Sequence, residues 1–221
     1  MRKTYRRKEN KIKNIILEYI ENNAKIYLIL LIIFFIGIIL GIIFVNNAQE
    51  AQSNQISSYI NNFINSVKEN YQISKTKLLT TSMLNNLIMT IILWFLGSTV
   101  IGVPLIYLVI GYKGYCIGYT ISSVIATIGI GKGTLFIAST MLLQNIIYIP
   151  AILTLAVSGI KLYKLIMEDR RRENIKVQIL KHTIFSVGIL ILLIISSLIE
   201  TYISGNLAAA LLKYCWKNKN Q

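Results

Sequence analysis

A single carboxylate sits inside an apolar run of this chain: Glu200, in the segment LIETYIS. A carboxyl group at membrane depth is costly and marks a candidate functional site by default. The same group can also be structural, hydrogen-bonded to Gln144, Asn145 or a tyrosine. Gln144 and Asn145 are a polar pair near the middle of another apolar stretch, with Pro150 just beyond them. Their amides can bond carbonyls that Pro150 leaves unpaired, or reach across to a neighbouring helix. Structural glue and a substrate site both use such residues. The rest of the chemical inventory is thin. His182, the sole histidine, and Asp169, the sole aspartate, fall in or beside a basic stretch, and neither is expected to meet Glu200 across a membrane. No Ser–His pair, paired aspartates or cofactor motif accompanies them, so no catalytic and no cofactor-binding residues are assigned. The two cysteines, Cys116 and Cys215, occur without CxxC or HExxH spacing, and no metal site is assigned. GIGKG at 129–133 lacks the spacing and hydroxyl residue of a phosphate loop.

The elements that must position these residues are helices in a bilayer. Hydrophobic residues make up 54% of the chain, charged residues only 14%, and the mean hydropathy is +0.59. The apolar residues come in runs long enough to cross a membrane. The reading is an all-α, polytopic membrane bundle of about five spans, near 26–45, 82–110, 114–131, 134–160 and 183–203. These spans make one membrane domain over 26–203. A basic amphipathic segment, 1–25, precedes it, with Ile12, Ile15, Ile16, Tyr19 and Ile20 on one face. A second amphipathic helix is expected within the polar stretch 46–81, on Ile56, Tyr59, Ile60, Phe63, Ile64 and Val67. An interfacial tail, 204–221, closes the chain.

Glycine and proline punctuate the middle of the sequence. Gly97, Gly102 and Pro104 interrupt the second apolar region, and Pro104 is expected to kink or end a helix near Val103. A short link containing Lys113 follows. Gly114, Gly118, Ser122 and Ala126 then recur every four residues, a ladder that lets another helix come close. Gly37 and Gly41 make a GxxxG in the first span, which alone is a weak signal.

Basic residues set the expected orientation. Net charge is +14, and arginine is confined to the N-terminal segment and the loop around Arg170, Arg171 and Arg172. The positive-inside rule places both in the cytoplasm, with 46–81 outside and the C-terminus extracytoplasmic. Clusters beside membrane segments suit anionic lipids and topogenic signalling better than nucleic acid. Cys116 and Cys215 then lie near opposite interfaces, so no bridge is expected between them.

FIGIILGIIFVN at 35–46, GSTVIGVPLIYLVIGYKGYCIGYT at 97–120, QNIIYIPAI at 144–152 and LIETYIS at 198–204 together resemble the stage II sporulation protein M family. The likeness covers nearly the whole chain. Two positions depart from the family's habit: Leu143 stands where a proline often precedes the Gln-Asn pair, and Ser204-Gly205 where Thr-Pro often follows the Glu of the last span. The resemblance implies a non-catalytic scaffold in the cell membrane, at the sporulation septum or engulfing membrane. It implies two partners, stage II sporulation proteins D and P, which cut peptidoglycan during forespore engulfment. Anionic lipids and a second copy of the chain are the other partners considered. Gly97, Gly102, Pro104, Gly114, Gly118, Gln144, Asn145, Pro150 and Glu200 are the structural or partner-docking candidates. Members of the wider family act outside sporulation, and the rival reading is a small-solute transporter or channel.

Overall fold

The computed structural model describes residues 14, 17–69, 75–99, 101–168, 175–204 and 206–207. Among them every regular element is helical: α1 (Ala24–Asn46), α2 (Glu50–Glu69), α3 (Lys75–Gly97), α4 (Gly102–Ile128), α5 (Ile130–Thr140), α6 (Leu142–Glu168), α7 (Ile175–Ile199) and a π-helical turn, Glu200–Ser204. Most of the basic segment 1–25 and of the tail lie outside the described residues, as do Asp169 and Cys215. Residues 17–22 are helical and break from α1 at Asn23.

The protein is a helical membrane bundle. Among the described residues four helices are long and apolar enough to cross a membrane: Ala24–Asn46, Lys75–Gly97, Leu142–Met167 and Ile175–Ser204. α1 shows how the sequence sorts its faces. Leu30, Phe34, Gly37, Gly41 and Val45 form a buried stripe at steps of three and four. Leu28, Ile32, Ile36 and Ile39 stay exposed, as side chains facing lipid do. α6 is the most enclosed span, with Ile152, Leu155, Ala156, Val157 and Ile160 at its buried centre.

α4 has the same length as α6, and Lys113, four tyrosines and its glycines interrupt its apolar residues. Close packing fixes its place in the bundle. It runs parallel to α1, Gly111 meeting Ile33, Gly114 meeting Phe34 and Gly118 meeting Ile38. Gly37 and Gly41 face back toward Gly111, Tyr115 and Gly118. A Cβ at Gly118 would stand 2.8 Å from the Ile38 carbonyl carbon, and one at Gly41 2.6 Å from the Tyr119 nitrogen. Only glycine lets two helix backbones approach this closely. Ser122 continues the seam by donating to Asn46 Oδ1 at 3.2 Å. Ala126, expected on the same ladder, is exposed, because α1 has already ended at Asn46.

Three helix boundaries differ from the sequence reading. The break expected near 110–114 falls at 98–101, so α3 ends at Gly97 and Lys113 lies inside α4. Pro104 neither kinks nor ends a helix. It is the third residue of α4, where the missing N–H has no intrahelical partner to lose. The stretch expected as one span over 134–160 is two helices meeting at Met141. The polar segment 46–81 does contain the expected amphipathic helix, α2, which packs in part on α4.

Candidate functional site

Where α3, α4, α6 and the π-turn come together, their polar residues converge on one cavity of about 250 Å³. Each helix contributes a short row at helical spacing. α3 brings Ser82, Asn85 and Asn86, and α4 brings Lys113, Cys116 and Thr120. α6 brings Gln144, Asn145 and Tyr148, and the π-turn brings Glu200.

Glu200 is held by two helices at once. Its Oε2 accepts from Ser82 Oγ and from Gln144 Nε2, the latter at 2.7 Å. The bond to Gln144 is one of the structural partnerships that its sequence position allowed. Behind it, Ser82 and Ser197 hydroxyls lie 3.0 Å apart, and Asn86 Nδ2 donates to Ser197 Oγ at 2.7 Å and to the Leu193 carbonyl at 3.0 Å. Ser196 Oγ donates to the Gln144 carbonyl at 3.3 Å, closing a network across α3, α6 and α7. Buried side-chain bonds of this kind fix helix register, because breaking one strands its partner.

The cation lining the same cavity is Lys113. It sits near the middle of α4 and faces the bundle interior, as intramembrane charges do. Its Nζ lies 5.6 Å from the centre of the buried Tyr148 ring, a cation–π distance. Lys113 and Glu200 thus line one cavity without forming a direct ion pair. This arrangement can hydrate, or hold a small polar group between an ammonium and a carboxylate. The π-helical geometry at Glu200 belongs to the same place: such single turns are frequent at functional sites. In that turn Thr201 Oγ1 and Ser204 Oγ are buried without a partner among the described residues.

The other candidates lie elsewhere. Gly114 and Gly118 form the seam with α1. Gly97 packs against Gly159, where a Cβ would stand 2.6 Å from the Gly159 Cα. Gly102 lies over the Leu96 carbonyl and tightens the turn into α4. Pro150 stays inside α6, and its carbonyl accepts from Thr154 Oγ1 at 2.7 Å. His182 is a helix residue rather than a loop residue. It is buried in α7 with Nδ1 2.8 Å from Ser158 Oγ. Eighteen residues of helix, roughly 27 Å of rise, separate it from Glu200.

Comparison with known proteins adds the family. A profile described as "Stage II sporulation protein M" matches residues 30–205, most of the chain. The chain belongs to the stage II sporulation protein M family. The matched span of this family contains α1 from Leu30 onward, the other helices through α7, the seam and the whole cavity. An uncharacterized protein of Methanocaldococcus jannaschii is 30% identical over 186 residues, covering 82% of this chain and 95% of its own length. No solved structure matches.

Sequence reasoning missed most of the cavity's polar residues. Lys113 was assigned to a link, and Ser82, Asn85, Asn86, Thr120 and Tyr148 were not singled out. Their spacing carried the signal: Ser82 and Asn86 are one turn apart on an apolar helix, and Lys113, Cys116 and Thr120 share a stripe.

Proposed function

We propose that the protein is a non-catalytic integral membrane scaffold for the peptidoglycan-degrading machinery that drives forespore engulfment. Its partners in this reading are stage II sporulation proteins D and P. Residues 1–25 and the loop around Arg171 face the cytoplasm, and α2 faces outward, in keeping with the arginine bias. Family membership supports a sporulation role. The observation that carries the scaffold reading is the clamp on Glu200: Ser82 and Gln144 donate to it from two helices, which suits a carboxylate that fixes a surface.

The test compares two variants. Glu200→Gln keeps the shape and most of the hydrogen bonding, and retains engulfment and hydrolase recruitment. Glu200→Leu strands Ser82 and Gln144 and does worse. Complete and equal loss in both, at normal protein levels, rejects the scaffold.

The cavity favours one second reading, a small-solute transporter or channel. Lys113 and Glu200 facing one space inside the bundle are the kind of polar set such proteins use. Solute flux in sealed vesicles that Glu200→Gln abolishes as fully as Glu200→Leu would establish that reading.

A further inference from the structure

A second concave site lies at the opposite end of the bundle from the Glu200 network. The start of α1 and the last turns of α6 enclose a groove of about 660 Å³. Lys25, Lys161 and Lys164 line it, against one acidic residue, Glu21. Asn22 and Asn23 add amide groups, and Ile26 and Leu165 give it apolar walls. The groove is built rather than incidental. Asn23 is buried and donates through Nδ2 to the Tyr19 carbonyl at 2.6 Å, fixing the angle at which residues 17–22 leave α1. Tyr19 is in turn wedged against Phe185 of α7, with ring centres 5.9 Å apart. Lys161 Nζ lies over the Tyr19 ring at 4.7 Å, which holds that ammonium beside the groove. Burial, with Tyr27 adding to it, pushes the Tyr19 hydroxyl up to about 12, so it contributes no negative charge.

The position selects the ligand. Both contributing helices are long and apolar enough to cross a membrane, and the ends of those apolar spans, Ala24 and Met167, lie at the groove. Residues 17–22 expose Leu17 and Ile20 beside the groove, as a segment at headgroup level does. Lysines at helix ends extend toward the interface and attract lipid phosphate. A free anion would use the lysines and leave Ile26 and Leu165 wet, whereas a lipid uses both.

We propose that this groove holds the phosphate of an anionic glycerophospholipid, with Lys25, Lys161 and Lys164 as its cationic wall and Ile26 and Leu165 against the start of the acyl chains. The site is independent of the scaffold reading.

The experiment is thermal unfolding of the full-length protein in neutral detergent with added phosphatidylglycerol, phosphatidylcholine or inorganic phosphate. Phosphatidylglycerol at saturation raises Tm by about 2–4 °C, and the other two do not. Lys25→Gln and Lys164→Gln each reduce that rise, and Lys25→Arg with Lys164→Arg preserves it. Lys161 is left in place because it also covers Tyr19. An equal rise with phosphatidylcholine would show mere solvation by lipid. A matching rise with phosphate would show an anion site without a lipid. An undiminished rise in both glutamine variants would put the lipid elsewhere. Each of these three results overturns the proposal.

Discussion

α4 separates two regions built on opposite rules. On one face it meets α1 through Gly114 and Gly118, whose nearest neighbours are backbone atoms of Phe34 and Ile38. On another it carries Lys113, Cys116 and Thr120 into a space that side chains leave open. The seam is held by contact and admits nothing. The cavity is held by directed hydrogen bonds around its rim and keeps its middle free. Apolar driving forces between helices vanish in lipid, so close packing and polar bonds are the two devices left to join them. This protein uses one on each side of a single helix.

The sharpest way to break the seam is bulk. Gly118→Leu drives a side chain into the Ile38 backbone, which cannot yield as a flexible side chain would, and costs about 3 kcal/mol or more, the upper end of overpacking. It should give the largest loss of membrane abundance and the easiest unfolding in detergent. Stability equal to wild type, with function lost, would mean that this face binds a partner instead.

Breaking the rim of the cavity should cost less. Asn86→Leu removes donors to Ser197 and to the Leu193 carbonyl, and destabilises by about 1–3 kcal/mol. Chemical unfolding in micelles measures it. Should Asn86→Leu match Gly118→Leu in cost, the two regions would be equally rigid and the contrast between them would fail.

The open middle is tested through Cys116, a free thiol that lines it. In a Cys215→Ser background, small water-soluble methanethiosulfonates should modify Cys116, anionic reagents faster than cationic ones. Lys113→Met should shrink that preference several-fold while the bundle stays folded. A Cys116 that resists all such reagents would make the cavity dry.

Labelling of Ser53→Cys and Asn174→Cys in intact cells should leave stability unchanged and fix the orientation. Ser53→Cys is expected to react and Asn174→Cys to be protected. The reverse pattern would invert the bundle, and with it the leaflet that each region faces.

The two regions also differed in how far they could be read from sequence. The ladder Gly114, Gly118, Ser122 was visible because a helix needs small residues at fixed steps to be approached, and those steps are local. The fold class was equally visible in the length of the apolar runs. The pairing of Gly37 and Gly41 with that ladder was not, since which glycine faces which depends on the whole bundle. The cavity was legible only as parts. Gln144 and Glu200 stood out as polar residues in apolar runs, but their meeting depends on α6 and α7 lying side by side. Lys113 was misplaced because a lysine between two glycines looks like a link. In the structure those glycines serve the seam, and the lysine turns to the other face. Pro104 misled for a related reason: proline breaks a helix only beyond its first turn.

The parallel course of α1 and α4 has a consequence for biogenesis. Neighbours joined by a hairpin can associate as soon as both have left the ribosome, but these two cannot. Gly37 must await Gly111, whose codon is translated roughly seventy positions later, which at about 5–20 residues per second is a delay of several seconds. During that interval α1 sits in the bilayer with its glycine stripe bare, while α3 inserts in the opposite sense. The final body cannot close until the fourth helix arrives, so a nascent chain halted before Gly111 would leave α1 open to pairing with the wrong helix.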